Sequence, residues 1–582
     1  MWLGINYAGM HDSSITLLDK RGNVQLAISE ERLSRVKKDG RFPHHSLALV
    51  DMNQVQKVGI PYLRTAPAPP AEADPLFEGL LPIQIETNPL PAWRSFPVEW
   101  HTQIAQLTRP HLYFDHHEGH AAAGYYLSGM REAYVLTSDG GSPNCNWSAT
   151  LYHATPDGLE FLHGASLAHY RALSLIYSNV TALLGFKPIR HEGKITGLAA
   201  YGEDNPACEE ALWDVYREIS ERKMSGKGQP LSQWTNRFSD KAPYYQSNPE
   251  VIHYFRHQRL GQFSDEDLAR AVQNIITDKT LTIVQRIIDR YNPQNLVLSG
   301  GIFANVKLNQ DIKKLCIPNV FVCPPMSDEG LSLGGAVLAW SQETGSSLYQ
   351  GPVKHMFMGV SIEADITAEL DKLGVVYKQL DDVPETIAQL LAEGKIIALV
   401  RGAMEFGPRA LGNRSILYQA NDPTVNQWLN ERLKRTEFMP FAPIVRAEDA
   451  DRLFEHQGLH GAEHTAEFMT ICFDCTEQLR EQCPAIVHID GTARPQLVTQ
   501  ENQPSLHRIL TRYQELTGLP ALINTSFNMH EEPIVAYTQD AVIAFLQSQL
   551  DFLVIEDFLV EYHANAHALE NETLAVNNIP RR

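Results

Sequence analysis

Short apolar runs separated by small polar turns open the chain. Leu3 to Asn6 reads as a strand, Gly9 to Ser14 as a tight turn, and Ile15 to Leu18 as a returning strand. Asp19 to Asn23 turns again, and Val24 to Ser29 completes a meander. Ala133 to Thr137 is a further apolar run that ends in Ser138-Asp139-Gly140-Gly141-Ser142. Between 264 and 291 the period changes, and Leu268, Ala271, Val272, Ile275, Ile276, Leu281, Val284 and Ile287 recur at helical spacing. That helix leads into the strand Asn295 to Leu298 with Ser299-Gly300-Gly301 at its exit, then a helix holding Asn305 and Asn309. A second strand–turn unit follows, Val320 to Cys323 and then Ser327-Asp328-Glu329-Gly330. Around Pro352 to Pro384 the register shifts and another α/β unit begins, with Ile396 to Val400, the loop 402–415 and the strand Ala521 to Asn524. Pro61 to Pro75 reads as a surface connection, residues 204–265 as an inserted polar cap, and the last twenty residues as a frayed tail. No internal repeat is visible in the sequence.

Bulk properties narrow the picture without deciding it. A chain of 582 residues is too long for one core and implies roughly two to four domains. Its 49 basic and 69 acidic residues give a net charge of −20, which argues against a nucleic-acid footprint built on clustered Lys and Arg. Met1 to Tyr7 lacks the basic start of a signal peptide, and no apolar run approaches bilayer length, so a cytoplasmic protein is expected. Seven cysteines suit a reducing compartment. Cys472-Phe473-Asp474-Cys475 is a single CxxC in an apolar run and reads as buried strand rather than zinc site.

The chemistry concentrates in a few motifs. In Asp115-His116-His117-Glu118-Gly119-His120, the four-residue spacing puts His116 and His120 on one helical face, where both imidazoles can meet one metal ion. The competing reading is a helix start capped by Asp115 with surface histidines. Asp139 stands at the C-terminal end of a strand before a glycine turn, and Asp328 occupies the equivalent place in a second strand–turn unit. Gly300 and Gly301 allow close approach of backbone to a ligand, and Lys194 lies between glycines at a helix start. His11-Asp12-Ser13-Ser14 reads either as the phosphate-facing turn of an actin-like ATPase or as a plain hairpin. Gly402 to Ser415 carries Arg409 and Arg414 framed by Gly-Pro and Gly-Asn turns, a fork pair suited to planar oxyanions. Lys434, Arg435 and Arg494 are candidate additions, and Asn524-Thr525-Ser526-Phe527-Asn528 offers amides and hydroxyls at a strand end.

Together these motifs resemble the carbamoyltransferase family that includes nodulation protein U and the cephalosporin and tobramycin carbamoyltransferases. The resemblance covers about residues 1–562. It is carried by His11–Ser14, Glu30-Glu31-Arg32, His116–Ala121, Gly193-Lys194 through Gly202, Ser299–Gly301, Pro324–Gly335, Glu405–Ser415, Pro440-Phe441-Ala442-Pro443 and Asn524–Asn528. It implies an α/β protein with an actin-like N-terminal domain of two ribonuclease-H-like halves, over 1–350, akin to threonylcarbamoyl transferases. A linker over 351–382, a YrdC-like domain over 383–562 and a tail over 563–582 would follow. The implied reaction makes carbamoyl-adenylate from carbamoyl phosphate and ATP, then passes the carbamoyl group to a hydroxyl of a small natural product, as in antibiotic biosynthesis. His116, His120, Asp139 and Asp328 would bind a divalent metal, iron(II) in the first place, with manganese or zinc also fitting. His11 would be the general base, and Asp12, Lys194, Gly300, Gly301 and Asn305 would hold the nucleotide. Arg409, Arg414, Lys434, Arg494, Asn524 and Asn528 would hold carbamoyl phosphate. No organic cofactor, nucleic acid or membrane is implied, and a homodimer is left open.

Two positions depart from the family pattern. Met439 stands where the family has the last arginine of a basic run, which leaves the role of Arg435 open. Glu531 stands where the family has glycine before Glu532-Pro533. Two other readings remain: a threonylcarbamoyl-type tRNA transferase, disfavoured by the charge, and an actin-like nucleotide sensor without transfer activity, disfavoured by His11 and the second anion-binding unit. The identity of the acceptor is not legible.

Overall fold

The computed structural model describes residues 1–7, 11–65, 68, 72–80, 98–140, 144–166, 173–225, 252–434 and 439–570. Part of the expected cap (226–251), Arg435 and the end of the tail (571–582) lie outside them. The chain divides into two units, Met1–Gln25 with Lys38–Pro352, and Leu26–Lys37 with Val353–Arg582.

The first unit holds two five-stranded sheets. One is built from β1 (Trp2–Asn6), β2 (Ser14–Leu18), β3 (Val24–Ser29), β4 (Lys57–Ile60) and β5 (His111–Tyr113), in the order β3-β2-β1-β4-β5. The other comprises β6 (Ala133–Ser138), β7 (Trp147–Thr155), β8 (Gly158–Ser166), β9 (Asn295–Ser299) and β10 (Asn319–Val322), in the order β10-β9-β6-β7-β8. In each, the first strand is antiparallel to the second and parallel to the fourth, which is parallel to the fifth. The topology is therefore duplicated, although the sequence shows no repeat, as two ribonuclease-H-like halves would require. Every residue of β1 and β2 is buried, which explains why they read as short continuous apolar runs rather than alternating ones. The long helix expected from the 264–291 periodicity spans Asp265–Tyr291, with Ser264 accepting from the Asp267 amide as its N-cap.

One seam fixes the first unit. Gly4 and Gly59 are register partners on β1 and β4. A Cβ on Gly4 would lie 1.8 Å from the Ser332 carbonyl oxygen, and one on Gly59 1.9 Å from that of Gly335. Both carbonyls belong to the helix Leu331–Thr344. On the opposite side of that helix, a Cβ on Gly334 would lie 2.0 Å from the carbonyl oxygen of Gly119, in the helix His116–Ser128. Backbone thus meets backbone on both sides, an approach only glycine permits.

The second unit is built on an eight-stranded mixed sheet. Its strands run in the order Tyr377–Gln379, Phe558–Glu561, Phe552–Ile555, Ile397–Val400, Arg414–Gln419, Ala521–Ser526, Ala442–Arg446 and Gln496–Val498. Alternation sends Ile416, Val445 and Ile523 into one apolar core, and Leu417, Ile444 and Leu522 into another. The 351–382 stretch, expected to be a linker, contributes the helix Ile366–Lys372 and the edge strand Tyr377–Gln379. Leu26–Lys37, which takes in the last four residues of β3, also belongs here. The Ala27 amide donates to the Met358 carbonyl at 2.7 Å, and Arg35 donates to the carbonyls of Ile534 and Pro533 at 2.7 and 2.9 Å. Cys472, Cys475 and Cys483 are buried, and burial pushes the Cys475 thiol up to about 12, so the CxxC is core. Among the described residues, no helix is long and apolar enough to cross a membrane.

Two outcomes follow from these backbones. Gly334→Ala is expected to destabilise the protein by about 3 kcal/mol, through overpacking against a carbonyl that cannot move alone. Gly193→Ala, with open space around its Cβ, should be neutral or slightly stabilising; denaturant midpoints distinguish them. Glu531 adopts φ +61°, the left-handed conformation for which the family uses glycine. Glu531→Gly should therefore raise stability by about 0.5–1 kcal/mol once the greater chain entropy of glycine is subtracted from the relieved strain, read in the same titration.

Candidate functional site

Asp115 starts the site by starting its helix. Its carboxylate accepts from the amides of His117 (2.8 Å) and Glu118 (3.3 Å), and Glu118 reaches back to the Asp115 amide. This capping box makes His116 the first helical residue and sets His120 one turn on. The expected Asp115 cap is thus present, but the histidines of the competing reading are buried rather than on the surface. His117, between them, faces away. Its ring bonds Thr137 Oγ1 at 2.6 Å and the Trp147 carbonyl at 3.1 Å, a structural role.

His116, His120, Asp139 and Asp328 are brought together, all buried, with one ligand atom from each lying within 4.8 Å of the others. His120 Nε2 stands 3.6 Å from both Asp139 Oδ2 and Asp328 Oδ1, and His116 Nε2 is 3.8 Å from the latter. All four ring nitrogens of the two histidines and Asp328 Oδ1 are buried without a hydrogen-bond partner. Unsatisfied donors and acceptors in such number are costly unless a ligand completes them. Two imidazoles and two carboxylates of this geometry fit a divalent transition metal. Asp139 is fixed by the Gly301 amide at 2.7 Å. Gly300 makes that possible: it has φ +105°, and a Cβ there would lie 2.2 Å from the Ser138 carbonyl oxygen.

His11 borders the cluster, with Nε2 3.9 Å from Asp328 Oδ2 and Nδ1 3.0 Å from Asp12 Oδ2. The same Asp12 oxygen receives Lys38 Nζ at 2.7 Å. Asp12, expected at the nucleotide, orients His11 through this oxygen. Burial works against charge on His11, but Asp328 and Asp12 outweigh it and push its pKa up to about 9. His120 behaves alike, reaching about 9 because Asp139 and Asp328 overcome burial. His116 is held well below the usual range by burial and by the neighbouring His120. Glu329, buried with both oxygens unpartnered, is pushed up to about 7 by burial and then by Asp12. Lys38 and Glu329 escaped the sequence reading; only the Lys37-Lys38-Asp39 run and the adjacency to Asp328 hinted at them.

The remaining candidates divide. Lys194 is buried in the helix Glu192–Leu198, with Nζ 5.9 Å from the centre of the Phe186 ring. Asn305, expected at the nucleotide, is bonded within the protein. Its Oδ1 accepts from the Leu308 amide at 3.0 Å as an N-cap, and its Nδ2 donates to Gln273 Oε1 at 2.8 Å.

In the second unit, Glu405 Oε1 accepts from the amides of Leu411 (2.7 Å), Asn413 (2.9 Å) and Arg414 (3.3 Å), which shapes the 405–414 loop. Arg414 is fully buried, and its guanidinium donates five bonds to the carbonyls of Arg401, Gly402, Asn413 and Ala536. A guanidinium has five N–H groups, so none remains for carbamoyl phosphate; Arg414 builds the loop instead. Arg409 and Arg494 are half-buried and Lys434 is exposed. Asn528 spends its NH2 on the carbonyls of Met529 and Glu532, closing the turn that holds Glu531. Asn524 is buried with its Oδ1 unpartnered.

The carbamoyltransferase N-terminus family matches residues 89–337, and the carbamoyltransferase C-terminus family matches 388–562. An uncharacterized protein of Methanocaldococcus jannaschii is 31% identical over 477 residues, covering 77% of this chain and 73% of that one. Nodulation protein NolNO of Sinorhizobium fredii is 28% identical, covering 95% and 79%. The 3'-hydroxymethylcephem-O-carbamoyltransferase of Streptomyces clavuligerus is 28% identical, covering 64% and 65%. With one family segment in each unit and this identity over most of its length, the chain belongs to the carbamoyltransferase family and is an enzyme that transfers carbamoyl groups.

Proposed function

We propose that the protein is an ATP-dependent O-carbamoyltransferase that forms carbamoyl-adenylate from carbamoyl phosphate and ATP, and passes the carbamoyl group to a hydroxyl of a small natural product. The observation that carries this reading is the buried His116, His120, Asp139 and Asp328 cluster with His11 at its edge. A relative that acts on a cephem hydroxymethyl group supports a small hydroxyl-bearing acceptor. A net charge of −20 weighs against tRNA. The second unit is assigned the adenylation step, as a YrdC-like domain.

In the transfer step His11 Nε2 takes the acceptor hydroxyl proton. The acceptor oxygen forms a bond to the carbamoyl carbon, and the bond from that carbon to the AMP phosphate oxygen breaks. Asp12 fixes the His11 tautomer through Nδ1, and Lys38 holds Asp12 in place. A divalent cation on the four ligands would supply positive charge for the departing phosphate and offset the carboxylate field that keeps His11 protonated. Burial of the cluster excludes water, which would otherwise compete with the acceptor.

Incubation with ATP and carbamoyl phosphate should release pyrophosphate, and its absence would remove this reading. His11→Ala should leave that release intact while slowing transfer to an acceptor by about 10²–10⁴-fold, followed by mass spectrometry of the acceptor. One equivalent of iron(II) or manganese(II) should bind in calorimetry, and Asp328→Asn should abolish it. Because His120, near 9, must lose its proton to ligate, metal affinity should fall roughly tenfold per unit as pH drops below 9. Affinity independent of pH would contradict the assignment of His120.

A further inference from the structure

Asp12 stands in the left-handed region, at φ +54°. A residue with a side chain is strained there and stays only where its surroundings hold it. The peptide group that follows Asp12 is gripped at both ends. Its carbonyl accepts from Asn6 Nδ2 at 2.6 Å, and its amide, that of Ser13, donates to the Asp39 carbonyl at 2.8 Å. Asn6 is the last residue of β1, is the register partner of Ser14 on β2, and is fully buried. Its side chain therefore ties down the residue that leads into β2.

The partners of Asn6 fix which way its amide faces. A carbonyl can only accept, so Nδ2 must point at Asp12 and Oδ1 at the Tyr62 hydroxyl, which donates to it. Tyr62 is buried just beyond β4, the parallel neighbour of β1, and its ring centre lies 5.6 Å from that of His116. One chain of bonds thus runs from a residue packed on a candidate metal ligand, through Asn6 and the Asp12 backbone, to the Asp12 carboxylate. That carboxylate accepts from Lys38 Nζ and lies 3.0 Å from His11 Nδ1, so Nδ1 carries the proton between them. Relaxation of Asp12 to an ordinary φ of about −60° would turn the chain on either side of it and carry the carboxylate off His11.

We propose that Asn6 is a positioning residue for the transfer step: with Tyr62 it holds Asp12 in the left-handed conformation, which keeps a proton on His11 Nδ1 and presents Nε2 to the acceptor hydroxyl. The inference rests on the reading of His11 as the general base. Of the two neutral imidazole tautomers, only the one with its hydrogen on Nδ1 offers Nε2 as a base. The same chain of bonds references the base to the metal-ligand helix, since Tyr62 touches both sides of it.

The test reads the His11 Nδ1 proton by NMR on the full chain labelled with nitrogen-15 histidine. A proton held between an imidazole and a carboxylate resonates far downfield, and the His11 signal is the one missing from His11→Gln. The proton that His163 Nδ1 donates to Asp74 at 2.8 Å, assigned through His163→Gln, serves as the internal control. Wild type should show both. Asn6→Leu, which nearly keeps the side chain's shape but removes both of its bonds, should lose the His11 proton and keep that of His163. Tyr62→Phe should shift the His11 proton upfield and leave that of His163 in place. A wild-type spectrum without the His11 proton overturns the inference without any variant having to fold, as does its persistence unshifted in Asn6→Leu. If Asn6→Leu loses the His163 proton as well, it has not folded, and an unshifted His11 proton in Tyr62→Phe then overturns the inference. A His11→Ala protein that transfers carbamoyl at the wild-type rate removes the base reading instead, whatever the His11 proton shows.

Discussion

The candidate metal cluster depends on the contact between two helix backbones. Asp328 lies three residues before the helix Leu331–Thr344, and His116 and His120 occupy the first turns of the helix His116–Ser128. The separation between those helices fixes the span of the ligands, and Gly334 against the Gly119 carbonyl sets it at the minimum two backbones allow. Gly4 and Gly59 clamp the other side of the same helix to β1 and β4. A ligand set placed by close-packed backbone is held tightly before any ion arrives, because packed interiors yield little. The glycines of this motif therefore serve geometry several residues away from the carboxylate they position.

How far the sequence revealed this varies with the range of the interaction. His116 and His120 were legible because helical spacing alone puts them on one face, and Asp139 and Asp328 because strand ends before glycine turns are where an open sheet presents side chains. The duplicated sheet topology was not visible as a repeat, since strand order is a property of pairing and leaves no periodic trace. The partners of Asn305 and Asp12, Gln273 and Lys38, were not legible because they lie elsewhere in the chain. Arg414 misled for the same reason. Two arginines five apart look equivalent until Ala536, more than a hundred residues on, claims one of them. The strand at 377–379 was hidden because its partner, Phe558–Glu561, comes nearly two hundred residues later.

The loop around Arg409 shows why one arginine had to be spent. Glu405 gathers three amides on one oxygen, and Arg414 gathers four carbonyls on one guanidinium. Donors and acceptors of a tight, buried loop cannot pair with each other in regular ladders, so a buried acid and a buried base satisfy them separately. Burial pulls the Arg414 pKa down while Glu405 and Glu556 oppose that. The charge of Arg414 is thus absorbed within the scaffold, and Arg409, half-buried on the same loop, is what the scaffold displays.

The electrostatics of the first unit are compatible with a cation, although Asp12 and Asp139 are held below the usual carboxylate range by their neighbours Lys38, His11 and His120. Asp12, Asp139, Asp328 and Glu329 are buried, and Lys38 pairs with Asp12. His11 and His120 are both pushed up to about 9, Glu329 up to about 7, and Asp328 is also raised. Their causes differ in order, since burial drives the carboxyls and opposes the imidazoles, yet all four groups hold protons more firmly than they would in water. His116 goes the other way because a protonated His120 is already beside it. Protons are poor occupants of this place: one on His120 blocks the nitrogen that faces Asp139 and Asp328, and one on His11 would stop it acting as the proposed base. A divalent ion on the four ligands would balance the same carboxylates while leaving the His11 nitrogen available, which is the protonation state that carbamoyl transfer to a hydroxyl requires.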